Sequence, residues 1–149
     1  MAENQQKWLT ELFERDLDRL IKELDQFKSD DSLWLQPEGI NNSAGNLSLH
    51  ICGNLLHFIG HILGKSGYIR QRDREFSKKN VHLSHLKSEI TKTKIEVSKV
   101  LMSLSDDDLK ATFPLQLWNK SFATGFFLIH LHSHLNYHLG QINYYRRLI

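Results

Sequence analysis

Apolar residues return every three or four positions through four long stretches of the chain, with charged and polar residues between them. In the first, Trp8, Leu9, Leu12, Phe13, Leu17, Leu20, Ile21, Leu24 and Phe27 define one face and predict an amphipathic helix from about Asn4 to Phe27. The segment SDDSLWLQPEGINNSAGN follows, rich in turn formers, and Ser43 or Asn46 is placed to cap the next helix. That second helix carries Leu47, Ile51, Leu55, Phe58, Ile59 and Ile62 and stops at Gly64. Beyond the basic connection GKSGYIRQRDREFSKKN, a third runs from about Leu83 to Leu104 on Leu86, Ile90, Val97, Val100, Leu101 and Leu104. A fourth spans about Phe122 to Leu148. Both prolines, Pro37 and Pro114, fall in connections, and no two-residue alternation, repeat or low-complexity tract interrupts the pattern. Four helices of comparable length predict an all-α protein, a four-helix bundle forming a single domain over residues 1–149.

Composition narrows the function classes. The 149 residues are 40% hydrophobic and 24% charged, ordinary for a globular protein with a real core. No apolar run is long enough to cross a bilayer, and the N-terminus MAENQQKWLTELFERDL is polar rather than signal-like, so the expected location is cytoplasmic with no membrane partner. A formal charge of +2 and the lack of a recognisable reading element argue against nucleic acid. The single cysteine, Cys52, excludes an internal disulfide and a multi-cysteine zinc knuckle. At about 100° per residue it lies about 200° from His50 on the helical wheel, so a buried structural thiol is expected.

Any tight metal site must then be built mainly from histidine, and four of the nine histidines fall between His130 and Arg147. Taking His130 as zero, His134 lies near 40° and His138 near 80°, with Tyr137 and Gln141 within about 20° of zero. Leu128, Leu131, Leu135 and Ile142 occupy the adjacent core face. His132, at about 200°, is expected on the surface. Histidines at i and i+4 stand about 6 Å apart along the axis, close enough for both to reach one ion at about 2.0–2.1 Å. A third ligand must come from another helix. The second helix offers His50, His57 and His61 on one stripe with Asn54, and geometry does not choose among them. His50 and His61, about 16 Å apart, cannot serve the same ion.

The stretches SLHICGNLLHFIGHILG, GYIRQRDREF and HSHLNYHLGQINYYRRL, with LWLQPEGINNSAGNL before them, resemble the DinB/YfiT-like superfamily of metal-binding four-helix proteins. The most specific element is H-x-x-x-H-x-G-Q, here His134, His138, Gly140 and Gln141. The resemblance implies one divalent ion held by a histidine early in the second helix and two in the fourth, which map onto His50, His134 and His138. His57, His61 and His130 are extra to that pattern and become pocket-lining candidates, with Asn54, Tyr137 and Gln141 as substrate or supporting contacts. It also implies a homodimer, and an activity on a small-molecule substrate assisted by a low-molecular-weight thiol.

Three neutral imidazoles leave a divalent ion its full charge and an open position, which suits holding a thiol deprotonated for S-transfer. Zinc, nickel, iron and manganese all remain open as the metal. Hydrolysis would want a carboxylate base, and neither histidine stripe contains Asp or Glu. A thiol S-transferase is therefore expected ahead of a metal-dependent hydrolase or a metal-binding protein without turnover. In the basic connection, Lys65, Arg70, Arg72, Arg74, Lys78 and Lys79 face only Asp73 and Glu75. These arginines either hold the carboxylates of a thiol or substrate, or belong to a solvated loop that pairs locally.

Overall fold

The structure, a computed structural model, describes residues 4–149; residues 1–3, where the proposed domain span begins, lie outside the described residues. Four long helices are present: α1 (Gln5–Asp25), α2 (Ala44–Leu55), α4 (Leu83–Ser103) and α6 (Thr124–Leu148). Two short ones, α3 (Arg72–Ser77) and α5 (Asp106–Lys110), lie in the connections, and Asp31–Trp34 forms a 3₁₀ turn. The expected cap of α2 forms on Ser43 rather than Asn46, and at the start of α1 Asn4 accepts from the Lys7 N–H. The unanticipated α5 starts with a reciprocal capping box between Ser105 and Asp108. Two isolated bridges, Thr112 with Ala123 and Leu117 with Lys120, tie the loop before α6, and no strand forms among the described residues.

α1 packs against α4 and α6, and α2 packs against the same two helices, which sets α1 and α2 on opposite corners of a four-helix bundle. The core is the set that the periodicity selects: Phe13, Leu17, Leu20 and Leu24 of α1, Ile51 and Leu55 of α2, Ile90, Val97 and Leu101 of α4, and Leu128, Leu131, Leu135 and Ile142 of α6 are all at most 1% exposed. Burying a side chain of this size contributes about 1.5–3 kcal/mol, which is what holds the bundle together. Trp8 departs from the expected face and stays 47% exposed in the first turn of α1.

After Leu55 the second helix changes character. Leu56–Leu63 winds as a π-helix, visible in the i→i+5 bond from the Gly64 N–H to the Ile59 carbonyl, before the chain turns away at Gly64. The wider turn breaks the single wheel on which His50, His57 and His61 share one stripe. That expectation holds only as far as Leu55.

A second correction concerns His132. Its Nε2–H donates to Asp16 at 2.7 Å, Asn136 donates to the same carboxylate at 2.9 Å, and the ring sits edge-on to Phe13 at 5.1 Å. The expected surface residue is in fact the α6 half of a clasp on α1, because the 200° direction points at α1 and not at solvent. Arg15 and Arg19 also donate to Asp16, whose side chain is wholly buried. Burial alone would raise its pKa, but the hydrogen bonds from Arg15, Asn136 and His132 and the Arg15 charge outweigh that and hold it at about 2. The clasp fixes the rotation of α6. With His132 and Asn136 turned to α1, His134 and His138 must face α2.

Candidate metal centre

His50 of α2 and His134 and His138 of α6 meet at the seam between the two helices. Their ligand atoms lie within 4.8 Å of one another, with Nε2 of His134 3.2 Å from that of His50 and 3.0 Å from that of His138. Two tautomers follow from the partners. Nδ1 of His50 faces the Glu75 carboxylate at 2.9 Å, an acceptor only, so Nδ1 carries the proton and Nε2 offers its lone pair. Nδ1 of His138 donates to the Gln141 side-chain oxygen at 2.8 Å, leaving its Nε2 a lone pair as well. His134 has at most one proton on Nε2 and cannot satisfy both. Burial first, then the neighbouring His138 and His50, pushes the His134 pKa down to about 3, and burial also lowers that of His138. Imidazole lone pairs converging on one point form a donor set suited to a cation. A tetrahedral ion at about 2.1 Å would set the nitrogens about 3.4 Å apart, within a few tenths of an ångström of the two spacings that His134 makes with His50 and His138. These three residues could therefore hold a divalent ion.

Glu75 is the functional residue that the sequence reading missed, and it arrives from α3 in the segment read as a basic loop. It is 6% exposed, and Arg70 grips it with two donors at 2.9 Å, Nε to Oε2 and Nη2 to Oε1. Burial would raise its pKa, but His50 and Arg70 together hold it below the usual carboxylate range. Arg70 pairs locally, as the second reading of that segment has it, but with the buried Glu75 rather than in a solvated loop, and it is not free to hold an anion. Two further residues make room for the arrangement. A Cβ at Gly53 would collide with the Glu75 carboxylate, and the buried Asn46 side chain donates to the Glu75 and Lys78 carbonyls at 3.0 and 2.8 Å, holding α3 against α2. A glycine inside an otherwise regular helix was the available signal, since it costs about 1 kcal/mol unless close approach requires it.

The other expected residues scatter. Gln141 sits on His138 and also reaches the hydroxyl of the exposed Tyr137 at 3.4 Å. Asn54 is buried with its side-chain oxygen unpartnered, and Nδ1 of both His57 and His61 is buried without a partner. The rings of those two histidines stand 6.2 Å apart on the π segment, outside the trio. His130 is exposed, edge-on to Trp118 and stacked on Phe127. Cys52 is buried as expected, and burial drives its thiol up to about 12. Beside His138 lies a cavity of about 330 Å³ whose lining includes Asn41, Asn42, Tyr137 and Gln141. Among the described residues no helix is long and apolar enough to cross a membrane.

The four-helix arrangement has a counterpart among solved structures. The crystal structure of a DinB-like protein from Bacillus cereus ATCC 10987 superposes with a TM-score of 0.69 at 19% identity, covering 89% of this chain and 85% of that one. The fold is thus all-α and DinB-like. Over residues 3–149 the chain matches the family described as protein of unknown function (DUF1572), and it belongs to that family. No curated protein sequence matches it.

Proposed function

We propose that this protein is a single-domain, metal-dependent thiol S-transferase, with His50, His134 and His138 as ligands of one divalent ion. The observation that carries the reading is the convergence of three imidazoles beside a cavity whose lining holds no carboxylate. A divalent ion bound there would supply positive charge and an open position at which a thiol is held as its thiolate near neutral pH. Glu75 supports this against hydrolysis. It stands behind the His50 ring, on Nδ1, and Arg70 occupies both its oxygens, so it is not free to take a proton from water.

The thiol sulfur would attack an electrophilic carbon of a small substrate, forming a C–S bond as the leaving group departs. The cavity beside His138, lined by uncharged amide and phenol groups, is large enough for such a substrate. The same reading includes a homodimer acting in the cytoplasm, for which Phe126, Ile129, Tyr144 and Leu148, all more than half exposed on α6, offer an apolar face.

The test is metal content by plasma mass spectrometry on untagged protein, followed by an electrophile assay with and without metal and low-molecular-weight thiols. About one ion per chain, with electrophile consumed only when thiol and metal are both present, is the expected result. Turnover without thiol would replace this reading with a hydrolase. Metal bound without any turnover would leave a metal-binding protein.

A further inference from the structure

Glu75 touches the trio at one atom only, Nδ1 of His50, and four separate features serve that contact. Arg70 clamps the carboxylate, Asn46 holds the backbone carbonyls of Glu75 itself and of Lys78, Gly53 leaves the space the carboxylate fills, and α3 packs on no other long helix as closely as on α2. We propose that Glu75 is the positioning residue of the metal centre: by accepting from Nδ1 it fixes His50 in the tautomer that presents Nε2 to the ion, and it thereby couples the docking of α3 to metal affinity. The metal half of this rests on the three-histidine reading above. The tautomer half does not.

The geometry explains why even glutamine cannot replace Glu75. Its Oε1 accepts from both His50 and Arg70 Nη2, and its Oε2 accepts from Arg70 Nε. An amide has one acceptor. Turned one way, its NH2 faces the Arg70 donor; turned the other, it faces Nδ1 of His50 and drives the proton to Nε2, where a ligand lone pair is needed. Gly53→Ala attacks the same contact from the opposite side, since the added methyl displaces the carboxylate while alanine is the better helix former.

The experiment uses two readouts on wild type, Glu75→Gln and Gly53→Ala, with Glu23→Gln as control; Glu23 pairs with Arg146 and Asn143 at another seam. Long-range ¹H–¹⁵N spectra of the metal-free protein report the His50 tautomer, and competition against a chromophoric chelator reports zinc affinity. His50 should be Nδ1–H in wild type and control and shift towards Nε2–H in both variants. Zinc affinity should fall about 10–100-fold in both variants and hold in the control. By reciprocity, zinc should slow amide exchange in α3 of wild type but not of Glu75→Gln. If His50 keeps Nδ1–H and zinc affinity stays within about twofold in the folded variants, the proposal is wrong. Should Glu75→Gln fail to fold, Gly53→Ala decides the matter alone. If zinc binds none of the proteins, the three-histidine reading fails, while the tautomer comparison still decides the role of Glu75.

Discussion

Replacing Asp16 by asparagine keeps the shape of the side chain but removes the charge at the centre of the α1–α6 clasp. In the wild type this carboxylate has a pKa of about 2 against an ordinary 3.8. A depression of that size corresponds to about 2 kcal/mol of stability. Because the folded-state value is the lower one, the contribution is fully present above about pH 4 and is lost as the pH falls through about 2. Asp16→Asn should therefore be less stable than wild type by about 2 kcal/mol at pH 7, and the gap should close towards pH 2. Urea unfolding of both proteins at pH 7, 4, 3 and 2 measures it, with the difference isolating Asp16 from Glu23 and Glu75, whose pKa values are also lowered. A gap of the same size at pH 7 and pH 2 would refute the argument, since the clasp would then owe its strength to shape and not to charge.

Further expectations concern the centre and the thiol. His134→Ala and His138→Ala should each reduce bound metal from about one ion to almost none in mass spectrometry while leaving the helical circular dichroism in place, because both side chains lie outside the apolar core. Gln141→Ala removes the acceptor on Nδ1 of His138, along with a long contact to the exposed Tyr137 hydroxyl, and competition titration should show an affinity about tenfold weaker, with stoichiometry unchanged. Cys52 should resist iodoacetamide in the native protein at pH 8 and label rapidly once urea unfolds it, since burial holds the thiol protonated with its pKa near 12. Rapid native labelling would mean that α2 opens locally far more often than its packing implies.

The four long helices are legible in the sequence because each carries an apolar stripe of period 3.6, and their observed limits fall within a few residues of those the stripe predicts, except that α2 gives way to the π segment after Leu55. The phase of α6 is legible for the same reason, so the helical wheel alone places His134 and His138 on one face. What the wheel cannot show is anything a neighbouring element decides. His132 points away from the histidine strip, and only the position of α1 turns that direction into an interface. Glu75 looks like a counter-charge in a basic loop because its partner, His50, is 25 residues away. The π segment is hidden too, since Leu56–Leu63 is apolar enough to satisfy an α-helical pattern, while its i→i+5 bonding depends on how the chain leaves at Gly64.

That π segment bears on how the gene for such a chain can change in length. A helix wound with i→i+5 bonds holds slack that an α-helix lacks, and losing one residue between Leu56 and Leu63 can be absorbed by reversion to i→i+4 bonding. The same loss between His134 and His138 would swing one imidazole about 100° off the shared seam. Single-residue deletions should therefore be tolerated between Leu56 and Leu63 and refused between His134 and His138, which makes the π segment the place where the chain is free to be remodelled around a fixed centre.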